Sequence, residues 1–360
     1  LSAHLVVCIT TFFIDVEEDE WCEEIDTSED IVREIKLSSK EIIERIKDRG
    51  IVGLGGAAFP THVKYMVPED KKAEYLIINA AECEPYLTSD NRVILEHTEE
   101  VLIGIEIMKK ALNINKAKIG IEANKPKAIE ALRKMLNQYP GTEVVPLKTK
   151  YPQGAEKQLI YALTKREVPS GKLPIEVACV VNNVGTAFAI YQAVQKNRPL
   201  IDNILTFTGK KTTNNKNLLV RVGTSIQSII DFCGGLPEDT GKVINGGPMM
   251  GKAMMDLSAP TTKTTSSILV MSEAESSRKK MTNCLRCGKC VSACPMGLEP
   301  IQIALLAKQE RWEEAEKECA MDCIECGSCL FTCPAGQPLL DIIRVAKSKI
   351  GAIRRARSKK

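Results

Sequence analysis

Eight of the chain's 14 cysteines form two runs of one form, Cys284 to Cys294 and Cys323 to Cys333. Cys284-x2-Cys287-x2-Cys290-x3-Cys294-Pro295 is repeated as Cys323-x2-Cys326-x2-Cys329-x3-Cys333-Pro334. Two-residue spacers let three thiolates wrap three corners of one iron–sulfur cube. The fourth, set off by three residues and turned by proline, reaches the other cube. That rule gives Cys284, Cys287, Cys290 and Cys333 to one [4Fe–4S] cluster and Cys323, Cys326, Cys329 and Cys294 to the second. Zinc is the competing reading, since its sites also use Cys-x2-Cys pairs. Zinc sites rarely carry three cysteines at this spacing plus Cys-Pro, twice over. Gly288 and Gly327 stand where backbone would pass close to sulfide. The remaining cysteines (Cys8, Cys22, Cys83, Cys179, Cys233 and Cys319) read as small buried hydrophobes.

A second candidate is the glycine loop Gly53-Leu54-Gly55-Gly56-Ala57-Ala58-Phe59-Pro60. It formally satisfies a dinucleotide fingerprint. A helix precedes it where a strand is required, however, and no acid closes a following strand. On pattern alone, tight turn and phosphate cradle stay equally open. The small residues ending in Phe59 and Pro60 make a flat floor for a planar ring. Lys64, one helical turn further on, is placed to neutralise a phosphate, and the loop's N–H groups could bind one too.

The chain of 360 residues, 44% hydrophobic and 4% aromatic, is long enough for two or three domains. Its net charge of +3 creates no field that calls for nucleic acid. No apolar run reaches the roughly 18–20 residues of a spanning helix. Leu5–Ile14 reads as two strands ending an upstream domain, and the acidic stretch Glu17–Asp30 as a solvated connector. Ser38-x-x-Glu41 forms a capping box ahead of a helix that Gly50 ends. Strands are expected at Tyr75–Asn79, Lys118–Glu122, Glu143–Leu147, Glu176–Val181 and Asn203–Thr208. Helices are expected at Arg92–Leu112, Lys127–Gln138, Ala155–Thr164 and Thr186–Gln195. Such alternation builds an α/β domain on a mostly parallel sheet, with ligands at the carboxyl ends of its strands. A smaller β-grasp unit is expected next, with strands at Leu218–Val222, Lys242–Asn245 and Ile268–Met271 and a helix at Ile226–Cys233. A helical two-cluster ferredoxin domain follows, with one helix over Ile301–Lys317. The expected boundaries are 1–36, 37–205, 206–272, 273–346 and 347–360. The last is a basic tail: Arg344–Lys360 holds eight basic groups and no acid. Ile342, Ile343, Ile350 and Ile353 interleave them, so the segment reads either as a solvated helix or as one lying on anionic lipid or an acidic partner.

Four ordered motifs then carry a resemblance: Gly53–Lys64, Asn79-Ala-Ala-Glu-Cys-Glu-Pro85, Tyr151-Pro-Gln-Gly-Ala-Glu-Lys-Gln158 and Val181-Asn-Asn-Val-Gly-Thr186. With the cysteine runs, they resemble the C subunits of Rnf electron-transport complexes, relatives of the flavin subunit of respiratory complex I. The resemblance runs from about residue 5 to the end. It implies a Rossmann-like domain holding FMN and NAD(H) in one pocket, a small β-grasp (SLBB-like) module and the two-cluster domain. Gly53, Gly55 and Gly56 match the loop that holds the flavin, Phe59 an aromatic stacked on the nucleotide, and Lys64 a basic residue near the flavin phosphate. Asn79, Glu82 and Glu84 match the loop around the ribityl chain and nicotinamide. Tyr151, Gly154 and Glu156 match a second nucleotide-contacting turn, and Asn182, Asn183 and Thr186 residues near the FMN phosphate. Leu54 and Ala81 depart from the arginine and aspartate usual in the complex I relative.

The resemblance further implies an enzyme component, part of a ferredoxin:NAD+ oxidoreductase. It would exchange electrons between ferredoxin-derived clusters and NAD+/NADH through FMN, because a flavin trades electrons both in pairs and singly. No catalytic side chain is needed for hydride transfer. Expected partners are the other Rnf subunits, membrane-embedded and ferredoxin-like, with ferredoxin as the indirect donor and no nucleic acid. They would couple the flow to Na+ or H+ translocation, with this chain peripheral on the cytoplasmic face of the membrane. NADH is favoured over NADPH, as no arginine is placed by motif to meet a 2′-phosphate. A cobalamin reductase of the same architecture and a pure iron–sulfur relay are the alternatives.

Overall fold

The computed structural model describes residues 20–358; the expected strands in Leu5–Ile14, together with Cys8, lie outside them. Helix α1 (Ser39–Asp48) begins at the Ser38/Glu41 capping box and is followed by Gly50 at φ +64°. After the glycine loop and the short α2 (Thr61–Tyr65), four strands alternate with helices. They are β1 (Tyr75–Ala80), α3 (Ser89–Glu96), α4 (Thr98–Leu112), β2 (Ala117–Glu122), α5 (Pro126–Met135), β3 (Thr142–Leu147), α6 (Glu156–Thr164), β4 (Cys179–Asn183) and α7 (Val184–Gln195). All pair in parallel in the order β3-β2-β1-β4.

Both faces of this sheet are covered, which is why its strands are apolar throughout. Leu76, Ile78 and Val180 pack with α1, α4, α5 and α7, whereas Ile77 and Val181 pack with α6 on the other side. Helices α4 and α7 touch so closely that a Cβ on Gly104 would lie 2.0 Å from the Ala187 carbonyl oxygen.

The second sheet is mixed: β5 (Asp202–Gly209), β6 (Lys216–Arg221), α8 (Ile226–Phe232), β7 (Thr240–Asn245), β8 (Lys252–Ala253) and β9 (Ser267–Ser272), in the order β6-β5-β9-β7-β8. Its first and last strands lie parallel at the centre, and α8 packs Ile226, Ile229 and Ile230 across one face. This is a β-grasp. The cysteine-bearing unit is entirely helical: α9 (Glu273–Ser276) leads in, then α10 (Lys289–Ser292), α11 (Pro300–Lys308), α12 (Trp312–Lys317), α13 (Ser328–Thr332) and α14 (Leu339–Arg357).

Several expectations are corrected. Helix 92–112 is two helices, broken at His97, whose ring stacks on Phe188 at 4.3 Å and whose Nδ1 meets Glu100 at 3.0 Å. The strand expected over 176–181 begins only at Cys179, because Pro174–Val177 makes a 3-10 turn. Strand 203–208 belongs to the second sheet, not the parallel one. Segment 301–317 is split by Glu310 at φ +57°. The connector is not simply solvated: Asp26 pairs with Lys196 at 2.6 Å, and Trp21 lies between Arg198 and Arg221. Finally, the basic tail is the end of α14. Its Ile343 and Ile350 are core residues, and Arg354 and Arg357 pair with Glu316 and Glu313 of α12.

Candidate flavin and iron–sulfur sites

β1 and β4 are neighbours from which the chain leaves and enters the parallel sheet in opposite directions, the kind of point at whose carboxyl ends such sheets have their ligand crevice. The glycine loop lies over that crevice. Its ends are closed by Gly53 N–H donating to the Phe59 carbonyl at 2.9 Å and by a bridge between Val52 and Pro60. Leu54 N–H donates to Thr186 Oγ1 at 3.0 Å, which ties the loop to the first turn of α7. A Cβ on Gly55 would rest 3.6 Å from that of Asn183, and Gly56 sits at φ +120°, a conformation that favours glycine.

Asn183 organises the crevice. Its Oδ1 accepts from Gly185 N–H at 2.7 Å, capping α7, and its Nδ2 donates to Asp90 Oδ2 at 2.8 Å. Asn79 donates to the Gly154 carbonyl at 2.8 Å, which brings the 151–156 turn beside β1. A Cβ on Gly154 would be 2.3 Å from the Ala81 carbonyl oxygen, so that approach requires glycine. Lys64 donates to the Val181 carbonyl at 2.8 Å and lies 4.0 Å from Glu156. Burial pushes its ammonium pKa down. Both polar atoms of the Asn182 side chain are buried without a hydrogen-bond partner. Phe59 is 45% exposed. Small residues, the N-terminus of a 12-residue helix and a partly buried cation fit a phosphate-bearing planar ligand.

Three expected contacts turn elsewhere. Glu82 points inward, accepting from Asp90 N–H at 2.9 Å and Ser89 Oγ at 3.2 Å, with Lys125 3.6 Å away. Glu84 accepts from the Met249 and Met250 N–H groups at 3.1 and 2.7 Å, fastening the loop to the β-grasp. Tyr151 donates its hydroxyl to the Cys326 carbonyl at 2.6 Å. Glu84 and Tyr151 thus join the α/β unit to the β-grasp and to the cysteine-bearing unit, whereas Glu82 bonds within the α/β unit.

Asp90 is a residue that sequence reasoning missed, because an acid in a first helical turn reads as helix stabilisation. Burial, and the Glu82 carboxylate beside it, push its pKa up to about 7. Near pH 4 and below, folded and unfolded chains both hold this proton; between there and about 7 only the folded chain does, so stability falls as pH rises. Asp90→Asn keeps an acceptor for Asn183 and removes the charge. Its melting temperature is expected to exceed that of the parent at pH 8 and to approach it as pH falls below about 4. A difference independent of pH would refute this origin.

The eight run cysteines line two cavities. One cavity, of about 520 Å³, is lined by Cys284, Cys287, Cys290 and Cys333; another is lined by Cys294, Cys323, Cys326 and Cys329. No disulfide joins any of them. Backbone N–H groups of Arg286, Leu298 and Glu325 reach the sulfurs of Cys284, Cys294 and Cys323 at 3.4 Å. Such donors stabilise cluster-bound thiolates. Gly288 and Gly327 adopt φ +69° and +77° as they open α10 and α13. Cys83 and Cys233 are thiols raised by burial, to about 11 for Cys83; Cys22 and Cys319, in contrast to expectation, are exposed.

A family model described as the Nuo51 FMN-binding domain matches residues 46–192, and one for a 4Fe-4S dicluster domain matches residues 276–334. A second dicluster model matches residues 249–299. The chain is 49% identical to the C subunit of the proton-translocating ferredoxin:NAD(+) oxidoreductase complex of Clostridium ljungdahlii, over 84% of this chain and 65% of that protein. It is 46% identical to the C subunit of the Na(+)-translocating complex of Acetobacterium woodii, over 89% of this chain and 72% of that one. Among solved structures, an NAD+-reducing [NiFe]-hydrogenase in its H2-reduced state superposes with a TM-score of 0.60 at 17% identity. It covers 87% of this chain and 63% of that one, a likeness of fold.

Proposed function

Because the chain belongs to the family of C subunits of ion-translocating ferredoxin:NAD+ oxidoreductase (Rnf) complexes, we propose that it exchanges electrons between a nicotinamide nucleotide and two iron–sulfur clusters. The observation that carries this is the Tyr151–Cys326 hydrogen bond, which sets the nucleotide crevice directly against the backbone of a cluster ligand. Bound FMN supplies the conversion between paired and single electrons. The chain's residues supply position. The 53–59 loop and the start of α7 would hold the flavin, with Lys64 as the cation available to its phosphate. Phe59 would be the aromatic available to the nucleotide. Asn79, Gly154 and Glu156 line the side on which nicotinamide enters. The eight cysteines hold the clusters.

Electrons arrive from ferredoxin by way of ferredoxin-like partner subunits and leave on NAD+. Membrane-embedded partners couple that flow to ion movement. The two relatives are named for different ions, which favours a choice of Na+ or H+ made by those partners. No helix among the described residues is long and apolar enough to cross a membrane. The chain is read as peripheral, on the cytoplasmic face.

The test is anaerobic purification followed by a visible spectrum, fluorimetry of released flavin and NADH-dependent ferricyanide reduction. Releasable FMN, broad cluster absorbance and dye reduction are expected. Cluster absorbance without flavin or dye reduction would leave only an iron–sulfur relay.

A further inference from the structure

The two cysteine sets differ in what surrounds them. The set of Cys323, Cys326, Cys329 and Cys294 is held against the other units. Tyr151 binds the Cys326 carbonyl, and Gln158 binds the Pro295 carbonyl at 2.8 Å and Met296 Sδ at 3.3 Å. Ser170 Oγ donates to Asp322 at 2.5 Å, and a Cβ on Gly327 would meet the Met249 carbonyl oxygen at 2.8 Å. Of this set Cys326 and Cys329 are buried and Cys294 and Cys323 half-buried.

The mouth of the other set is open. Cys284 and Cys287 are exposed, and Leu285 and Leu305, which line this cavity, are 66% and 46% exposed. Met281 and Phe331 add 62% and 74% exposed side chains close in sequence to ligands of the same set. Basic groups surround them. Residues 278–298 contain Arg278, Lys279, Lys280, Arg286 and Lys289 and no acid. Arg286 and Lys289 line the cavity, while Lys279 and Lys280 run beside Gly336, just past Cys333. Of the five, Arg278 is paired, with Asp341.

An apolar centre at an exposed redox site, ringed by one sign of charge, is the anatomy of a transient docking surface for an oppositely charged partner. We infer that the face formed by Met281, Leu285, Phe331 and the Lys279, Lys280 and Lys289 ammonium groups docks an acidic iron–sulfur protein over the Cys284 set. This rests on the electron-transfer reading and adds the partner's chemistry and its point of contact. The opposite cysteine set, covered by the α/β unit and the β-grasp, offers no comparable approach among the described residues. The basic end of α14 is a weaker rival, since Arg354 and Arg357 already hold Glu316 and Glu313.

The full chain with reconstituted clusters, and an oxidised acidic two-cluster bacterial ferredoxin as probe, provide the test. Binding is measured by interferometry at about 50 mM and about 500 mM salt, where the screening length falls from roughly 14 Å to 4 Å. The parent should bind at low salt and lose about tenfold or more at high salt. Lys279→Glu/Lys280→Glu/Lys289→Glu should lose about tenfold or more at low salt, with a flattened salt dependence. Leu285→Asp tests the apolar centre separately and should weaken binding at both salts. Lys40→Glu/Lys127→Glu/Lys252→Glu makes the same change in net charge elsewhere and should bind as the parent does. Equal loss in this control, no binding by the parent, or capture of phosphatidylglycerol vesicles in place of the ferredoxin would overturn the assignment. NADH–ferricyanide reduction by the parent, measured in parallel, fails only if the nucleotide reading itself is wrong.

Discussion

The double variant Cys333→Ala/Cys287→Ala is expected to retain one intact [4Fe–4S] cluster, whereas Cys333→Ala/Cys326→Ala is expected to retain none. In the crossed arrangement, Cys333 completes the set of Cys284, Cys287 and Cys290, as the lining of the two cavities shows. The first variant therefore removes two ligands from one cube. The second removes one ligand from each. Iron should fall from about eight to about four per chain in the first and toward zero in the second. Without crossing, the outcomes would exchange: Cys333 and Cys326 would share a cube, and their joint loss would spare the other. Low-temperature EPR of the reduced protein, with iron analysis and circular dichroism to confirm folding, reads this directly. Retention of a complete cluster by Cys333→Ala/Cys326→Ala would refute the crossing.

That pairing was legible because it is set by local spacing and a turn. So were the capping box at Ser38, the four parallel strands and the β-grasp, each encoded by residues near one another. What escaped depends on distant pairs. Nothing around Glu84 announces that its carboxylate binds Met249 and Met250 N–H groups more than a hundred residues away. The Tyr151 hydroxyl reaching the Cys326 carbonyl is equally silent. Motif matching names Gly53, Gly55, Lys64, Asn79, Gly154, Asn183 and Thr186, which the hydrogen bonds from Leu54 to Thr186, from Lys64 to Val181 and from Asn79 to Gly154 place near the carboxyl ends of β1 and β4. It could not separate residues that face the crevice from Glu82, Glu84 and Tyr151, which bind its walls together. The end of α14 misled for a related reason. A basic stripe with interleaved isoleucines describes a lipid-facing helix and a core helix alike until Glu313, Glu316 and Glu325 are seen to receive its charges.

Lys64 offers the sharpest test of where the flavin's phosphate lies. Its ammonium is partly buried, makes one hydrogen bond, to the Val181 carbonyl, and has its carboxylate partner Glu156 only at 4.0 Å. Burial already depresses its pKa, so the free protein carries a desolvated charge that is incompletely matched. An arriving phosphate relieves that cost, and a charge-assisted hydrogen bond of this kind contributes about 1.5–3 kcal/mol. Lys64→Met fills similar space without charge. It should weaken FMN binding by roughly 10- to 150-fold in titration calorimetry, while the flavin-free protein melts no lower than its parent because the uncompensated cation is gone. The two readouts move independently, which separates ligand binding from general damage. Unchanged FMN affinity in Lys64→Met would place the phosphate away from this crevice, and a large fall in flavin-free stability would make Lys64 a structural residue.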